Sequence, residues 1–189
     1  MKTLTPRIEP LAESKWTEEE AKLLGRLKGK DNGISPGRVY NIIGTLANHW
    51  KLYLKFGSWG NHILGKNSTL GEREREILIL RVGWLCQAEY EWGQHVLIGK
   101  KAGLTDEEIS RIKEGANAPG WSAFDALLIK ATDELHDEAF VSDETWKTLA
   151  ETYNTKQMMD LVFTVGQYNM VSMALNSFGV QLDEGLKGF

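Results

Sequence analysis

Apolar residues recur along this chain with the spacing of α-helices, and no segment alternates in the manner of a β-strand. The clearest case is residues 122–140, where apolar side chains repeat at i, i+3, i+4 and i+7 and define a core-facing stripe. Similar helical periods account for the other apolar segments. The pattern therefore predicts an all-α fold, a bundle of helices around one core.

Short capping signals predict where these helices begin. Several helices are expected to start at a Thr followed three residues later by a Glu, the spacing of a capping box. The three boxes are Thr17 with Glu20, Thr69 with Glu72, and Thr105 with Glu108. A further start is predicted at Ser35-Pro36, where an N-cap precedes a proline suited to the first helical position. Ser142 and Asn154 are expected to cap the last two helices.

The division of the chain follows from its length and from these signals. A chain of 189 residues that is 42% hydrophobic and 25% charged fits one domain with a single core. Residues 1–34 are expected to form an N-terminal arm and a first helix, and residues 35–189 one globular helical unit. Within the arm, residues 1–15 have no period and are expected to lie over the surface or a neighbouring subunit. A helix break is predicted near Ala47–Trp50.

The composition narrows the range of functions. A net charge of -4 with scattered basic residues argues against nucleic acid as a partner. No apolar run approaches about 18 residues and the N-terminus lacks the apolar stretch of a signal peptide, so we expect a cytoplasmic protein that does not bind membranes. The single cysteine, Cys86, excludes an intrachain disulfide and a thiolate-rich metal site within one chain.

The most unusual segment is residues 72–102, an apolar stretch interrupted by charged side chains. Its first half leaves almost no polar face, as in a helix buried on all sides, and a break is expected near Gly83–Cys86. Gln87, Glu91 and His95 then recur at i, i+4 and i+8 and form a polar stripe. A carboxylate and an imidazole one turn apart in a core adjust each other's pKa toward values useful for proton transfer, although a surface pair has the same spacing.

The run EILILRVGWLCQAEYEWGQH, residues 76–95, resembles the carboxymuconolactone decarboxylase family, which includes the alkylhydroperoxidase D-like proteins. The resemblance extends to the sequence around His136 and to the C-terminus, and it covers most of the chain beyond residue 35. It implies an alkylhydroperoxidase D-like bundle that assembles into homo-oligomers, as trimers or hexamers, with sites near subunit contacts. Subunit number cannot be read from this sequence.

Within the family, the peroxidase branch uses a Glu, a Cys-x-x-Cys pair and a His. The positions that match these residues are Glu76, Ala88, Glu91 and His95, so both thiols of the redox pair are missing. The resemblance therefore favours the decarboxylase branch, whose members act on a carboxylated lactone and deliver a proton to carbon. It implies His95 as proton donor or base, Glu91 as its orienting partner and Glu76 as a second carboxylate.

We accordingly expect a cofactor-independent lyase, decarboxylase or isomerase that acts on a small carboxylated lactone or an acid from aromatic catabolism. Arg81 is expected either to hold a substrate carboxylate or to form an internal salt bridge to Glu76 or Glu91. Tyr90 belongs, with Trp84, Trp92 and Tyr168, to a group of aromatic residues near the polar stripe that suits a flat ligand, although core packing explains these residues equally. His62, in an apolar segment, is either a secondary site residue or a core histidine.

Two other functions remain open. Cys86 alone, with an external thiol, could support an alkylhydroperoxidase or peroxiredoxin-type antioxidant activity. It lies nine residues before His95, half a helical rotation from its face unless the helix breaks, and is otherwise a small buried hydrophobe. A non-catalytic binding module is the other alternative. Asp133 and His136 resemble half of a di-metal site, but because no matching second motif exists, we expect no metal.

Overall fold

The structure is a computed structural model that describes residues 3–28 and 37–189. Within these two ranges the chain forms nine α-helices and two short 3-10 helices, and no β-strand. The all-α prediction is therefore confirmed. The helices are α1 (Glu18–Leu24), α2 (Asn41–Ala47), α3 (Trp50–Leu64), α4 (Glu72–Leu85), α5 (Glu89–Lys101), α6 (Asp106–Glu114), α7 (Ala123–Glu138), α8 (Asp143–Ala150) and α9 (Thr155–Phe178).

Helix α4 lies at the centre of the bundle. The nine consecutive residues 75–83 are all buried, which matches the prediction of a helix buried on all sides. Helices α5, α7 and α9 pack around it, and α6 covers a further part. Each fully buried aliphatic side chain, such as Ile77 or Leu78, stabilises the fold by roughly 1.5–3 kcal/mol relative to exposure. The core therefore depends mainly on α4.

Most predicted helix starts are confirmed. Thr17 and Thr105 close capping boxes with Glu20 and Glu108, and Ser142 and Asn154 cap α8 and α9. The predicted start at Ser35-Pro36 and the boundary between residues 34 and 35 lie outside the described residues.

The capping box predicted for Thr69 and Glu72 is wrong. Helix α4 begins at Glu72, but the amide of Gly71 donates to Glu74 at 3.3 Å. The amide and hydroxyl of Thr69 instead both donate to Asp160, each at 2.7 Å. A buried carboxylate needs hydrogen-bond donors. Because Thr69 supplies two of them to Asp160, it does not cap α4.

Both predicted interruptions occur, the second slightly later than expected. Helix α2 ends at Ala47 and α3 begins at Trp50. In the central segment, α4 ends at Leu85 and α5 begins at Glu89, and Gln87 adopts a left-handed conformation with φ of 50°. Gln87 therefore precedes α5 and does not continue the polar stripe, which keeps only its Glu91 and His95 members.

Both ends of the described chain lie against the bundle. The amides of Arg7 and Ile8 donate to the carbonyl of Phe178, so the arm lies along the end of α9. Near the C-terminus, Asp183 accepts hydrogen bonds from the amide of Asn41 and the hydroxyl of Tyr90. These contacts connect residues that are far apart in sequence and wrap both ends around α2, α5 and α9.

We expect truncation of a central α4 side chain to destabilise the fold far more than truncation of an exposed leucine. Leu78 is fully buried, whereas Leu97 on α5 is 37% exposed. Leu78→Ala should lower the free energy of unfolding by about 2–5 kcal/mol because it leaves a cavity that the neighbours cannot fill. Chemical denaturation of both alanine variants measures this difference. Equal losses for the two would contradict the central role of α4.

Candidate active site

The structure brings three of the predicted residues into direct contact. The Nδ1 atom of His95 lies 2.6 Å from Oε2 of Glu76, and its Nε2 atom lies 2.9 Å from Oε1 of Glu91. Glu76 comes from the middle of α4, while Glu91 and His95 are one turn apart on α5. All three side chains are at most 6% exposed. The alternative of a surface Glu–His pair is therefore excluded.

The protonation of this triad follows from its geometry. Carboxylates only accept hydrogen bonds, so an imidazole bonded to one at each nitrogen must carry a proton on both. Burial by itself lowers the pKa of His95, but the charges of Glu76 and Glu91 and the hydrogen bonds to them raise it to about 10. At neutral pH His95 is thus an imidazolium between two carboxylates.

A fourth buried charge completes the cluster. The Nε atom of Arg75 lies 3.5 Å from Oε1 of Glu76, and the Arg75 side chain is only 7% exposed. Two positive and two negative groups then alternate in the order Arg75, Glu76, His95, Glu91. Alternation is required here because an isolated buried charge costs several kcal/mol, which only close opposite charges offset.

Tyr168 of α9 closes one side of the triad. Its ring meets the His95 ring edge-on, with centroids 4.9 Å apart and an interplanar angle of 83°. Burial and the charges of Glu91 and Glu76 raise the pKa of Tyr168 well above its ordinary value, so its hydroxyl stays protonated. Sequence reasoning treated Tyr168 only as part of an aromatic group near the stripe and overlooked Arg75. The sequence feature that could have identified Arg75 is its position two residues before the apolar run that begins at Ile77.

Arg81 does not extend toward the triad. Its Nε and Nη2 atoms pair with the two carboxylate oxygens of Asp133 at 2.6 and 3.1 Å, and its Nη1 donates to the carbonyls of Ile112 and Lys113. The expected role as a holder of substrate carboxylate is therefore not supported, because its donors are engaged within the protein. The alternative, an internal salt bridge, is present, but its partner is Asp133.

His62 also lies outside the triad. On α3 its Nε2 atom is 3.3 Å from Asp160, and its ring stacks on Trp59 with centroids 5.3 Å apart. Neither contact involves Glu76, Glu91 or His95, and with a side chain that is 37% exposed His62 is not a core histidine. Its partners explain why a histidine occurs in that apolar segment.

Cys86, in contrast, lines a cavity. This space has a volume of about 700 Å³ and lies between the start of α5, the end of α9 and both ends of the chain. Its lining consists of Thr3, Leu4, Cys86, Gln87, Glu89, Tyr90, Leu175, Asn176, Gly179, Val180, Gln181 and Leu182. Tyr90 reaches this cavity as expected, but its hydroxyl is held by Asp183.

Two polar residues flank the thiol of Cys86. Its sulfur lies 3.4 Å from Oδ1 of Asn169 and 3.9 Å from Nδ1 of His136, and that nitrogen is 2.7 Å from the same Oδ1. The Asn169 amide nitrogen donates to the carbonyl of Val165, which fixes Oδ1 as the acceptor. Consequently Nδ1 of His136 carries a proton, so it cannot take one from the thiol.

The electrostatics of the thiol connect it to the triad. Burial raises the pKa of Cys86, the hydroxyl of Ser172 lowers it, and the negative charge of Glu91 raises it further. The net direction is upward, so the thiol is neutral at physiological pH. Glu91 therefore acts on both His95 and Cys86. The helix break at residues 86–88 makes this possible, because a continuous helix would turn the thiol away from the triad.

The described ranges contain neither a cluster of metal-binding side chains nor a helix that could cross a membrane. Among residues 3–28 and 37–189, no three His, Cys, Asp or Glu side chains converge as they would around a metal ion. Asp133 faces Arg81 while His136 faces Asn169, so the half-motif seen in the sequence does not form one site. In the same part of the chain, no helix has both the length and the apolar character needed to cross a membrane.

Comparison with known proteins identifies the region that contains the triad. Residues 52–133 match the model of the carboxymuconolactone decarboxylase family, and this range includes all of α4 and α5. Among curated proteins, none matches the chain. The matched range therefore contains the whole triad. It ends before His136 and Asn169, which flank Cys86, and before Tyr168, which packs on His95.

Solved structures share the fold at low sequence identity. A peroxidase-related protein from Silicibacter sp. TM1040 has a TM-score of 0.79 and 15% identity over 95% of this chain and 94% of its own. A protein from Ralstonia eutropha JMP134 with an alkylhydroperoxidase AhpD core has a TM-score of 0.79 and 14% identity over 93% of this chain and 92% of its own. The predicted alkylhydroperoxidase D-like fold is thereby confirmed.

A third structure is a cysteine-to-alanine variant of the debrominase Bmp8 in complex with 2,3,4-tribromopyrrole. It has a TM-score of 0.73 and 15% identity over 96% of this chain and 92% of its own. At such identities the likeness extends to the fold and not to the reaction.

The raised pKa of His95 predicts a specific dependence of stability on pH. A histidine with a pKa of 6.5 in the unfolded chain and about 10 when folded stabilises the fold fully below pH 6.5 and loses this contribution as pH rises toward 10. His95→Gln should therefore destabilise the protein by a few kcal/mol at pH 6, roughly as expected for a broken buried pair, and by much less near pH 10. Denaturant titration of wild type and variant at both pH values tests this. A constant difference would contradict the imidazolium assignment.

Proposed function

Because residues 52–133 belong to the carboxymuconolactone decarboxylase family, we propose that this protein is a cofactor-independent enzyme that transfers a proton to or from carbon in a small ring-derived acid. The observation that carries the proposal is the double hydrogen bonding of His95 between Glu76 and Glu91, at 2.6 and 2.9 Å. A buried group with a strongly shifted pKa and a defined partner on each side suits general acid–base catalysis.

The geometry changes the expected roles within the triad. Both nitrogens of His95 are bonded to carboxylates, so His95 has no nitrogen left for a substrate. We assign proton exchange with the substrate to Glu91, because only its Oε1 atom is bonded to His95. Glu91 directly follows the cavity-lining residues Glu89 and Tyr90 and does not itself line that cavity. In this scheme His95 is a relay that supplies a proton to Glu91. Glu76 stabilises the imidazolium through its hydrogen bond to Nδ1.

For a decarboxylation the proton balance is simple. The substrate carboxylate leaves as carbon dioxide and its electron pair stays on the conjugated ring system. The His95 imidazolium passes its Nε2 proton to Oε1 of the Glu91 carboxylate, and the resulting carboxyl group delivers a proton to carbon and becomes a carboxylate again. Solvent then restores the imidazolium. An isomerisation uses the same groups, with Glu91 first taking a proton from one carbon and then giving it to another.

The cavity beside Cys86 supports a choice of substrate class. Its volume of about 700 Å³ is within the usual range for small-molecule sites, about 300–1,000 Å³. Among the described residues that line it there is no lysine or arginine. Arg81 is engaged with Asp133. A ligand with one carboxylate, or none, therefore suits the lining better than a lactone that carries several.

Thiol chemistry at Cys86 is the second candidate. The thiol lines the cavity and is flanked by His136 and Asn169. The fold is shared with peroxidase-related proteins and with a debrominase whose ligand complex was obtained with a cysteine replaced by alanine. The raised pKa of Cys86 keeps the thiolate scarce at neutral pH. The second candidate is weaker for this reason.

Solvent proton exchange distinguishes the two candidates. We expect deuterium from the solvent to enter the product or the unreacted substrate in a panel of monocarboxylated lactones and aromatic-derived acids, as measured by NMR. Glu91→Gln should reduce the rate 10²–10⁴-fold, the usual contribution of a general acid or base. Cys86→Ser should retain activity, and Glu114→Gln, an exposed carboxylate on α6, is the matched control.

Peroxide consumption measured with an external thiol is the complementary assay. Loss of this activity in Cys86→Ser, with full activity in Glu91→Gln, would replace the acid–base proposal by the thiol candidate. Near-ultraviolet circular dichroism of each variant shows whether its core remains folded. A Glu91→Gln variant that folds and keeps full proton exchange would remove the role assigned to Glu91.

A further inference from the structure

Phe189 occupies a slot between two tryptophans, one at the end of α4 and one near the start of α5. Its ring meets Trp84 edge-on with centroids 5.1 Å apart and lies 5.6 Å from Trp92, and the two indole rings are 6.0 Å apart. Aromatic rings attract one another at such distances. We call the space between Trp84 and Trp92 the indole slot, and a third ring fits into it.

A lysine lies over the indole slot. The Nζ atom of Lys113 is 5.1 Å from the centre of the Trp84 ring, 4.9 Å from Trp92 and 6.0 Å from Phe189. In the part of the chain that the structure describes, no carboxylate pairs with Lys113, whereas Lys100 pairs with one. The aromatic faces attract the ammonium group, and its N–H donors remain suited to an anion.

The indole slot adjoins the residue to which we assign proton exchange. Trp92 directly follows Glu91, and Trp84 directly follows Gly83. A side chain added at Gly83 would lie 3.6 Å from Cγ of Glu91 and 3.6 Å from the amide nitrogen of Trp92, so the two helices meet at Glu91. Among its described lining residues, the cavity beside Cys86 includes neither Glu91 nor a lysine or arginine. The indole slot supplies both features.

We propose that the indole slot binds the ring of an aromatic carboxylic acid, and that Phe189 competes with this ring for the slot. The carboxylate of the ligand pairs with Lys113. Arg81, which does not touch the ligand in this arrangement, positions Lys113 by donating to its carbonyl at 3.2 Å. The inference rests on the proposed function for the class of ligand, and it adds the place where the ring binds and the cation that recognises the acid.

The way the C-terminal segment is held allows such competition. Asp183 accepts a hydrogen bond from the buried hydroxyl of Tyr90, which anchors the segment on α5. Farther along, the carbonyl of Lys187 passes so close to α5 that a side chain added at Gly93 would lie 2.6 Å from it. The ring of Phe189 is 40% exposed even when it fills the slot. Its displacement therefore moves only the residues after the anchor.

Binding of benzoate to the full chain, measured by isothermal titration calorimetry, is the first test. Phe189→Ala should tighten binding about tenfold or more, because a slot that is open in at most about a tenth of the molecules loses that factor in apparent affinity. In the Phe189→Ala background, Lys113→Gln should weaken benzoate binding about tenfold or more, as expected for the loss of a charge-assisted hydrogen bond. Lys147→Gln, at an exposed position of α8, is the matched control.

Benzamide, the neutral analogue of benzoate, isolates the role of the charge. It should bind Phe189→Ala equally well with and without Lys113→Gln. Benzoate affinity that is unchanged in Phe189→Ala, or that falls no more with Lys113→Gln than with Lys147→Gln, would overturn the inference.

A second variant opens the indole slot without altering its rings. Gly93→Ala places a methyl group against the carbonyl of Lys187, so it should push the segment away and tighten benzoate binding as Phe189→Ala does. Gly57→Ala is the control, because Gly57 is also helical and has no atom within 4 Å of its added side chain. Equal benzoate affinities of Gly93→Ala and Gly57→Ala would count against the competition.

The inference and the proposed function fail separately. Benzoate binding that responds to Phe189→Ala and Lys113→Gln as expected, with no proton exchange on any acid of the panel, would support the slot and remove the proposed reaction. Proton exchange that requires Glu91, with benzoate binding indifferent to both substitutions, would keep the reaction and overturn the slot.

Discussion

The bonding of His95 to two buried carboxylates constrains the rest of this structure. An imidazolium with both nitrogens engaged requires Glu76 and Glu91 within hydrogen-bond distance on opposite sides of its ring. This arrangement needs α4 and α5 to pack closely, and glycine allows it, because a side chain at Gly99 would lie 3.3 Å from Leu80 and 3.7 Å from the Cβ of Glu76. The hydrogen bonds of His95 and the close packing of α4 against α5 therefore depend on each other.

The same constraint explains why the central segment is two helices. If residues 72–101 were one helix, Glu76 and His95 would be about 28 Å apart along its axis. The left-handed turn at Gln87 reverses the chain and brings them to 2.6 Å. The turn also leaves Cys86 beside the cavity, where the charge of Glu91 reaches it. One backbone conformation thus places the buried triad close to the thiol that lines the cavity.

Sequence patterns predicted the parts of this protein that depend on near neighbours. Helical class, most caps and the Glu91–His95 pair all rest on spacings of four residues or fewer. Glu76 was named only through the family resemblance, as a second carboxylate, and its bond to His95, nineteen residues away, was not predicted. Asp133 as the partner of Arg81 was not predicted, because spacing within α4 cannot identify a carboxylate on α7. Thr69 failed as a cap for the same reason, since Asp160 competes for it from α9.

Helix α9 connects the chemistry to the outer surface. Tyr168 contacts the His95 ring and Asn169 contacts Cys86, while the next residue, Met170, is exposed at the surface. Successive residues of a helix point about 100° apart, so a shift or rotation of α9 moves all three together. The surroundings of the triad and of the thiol therefore depend on the position of the same helix.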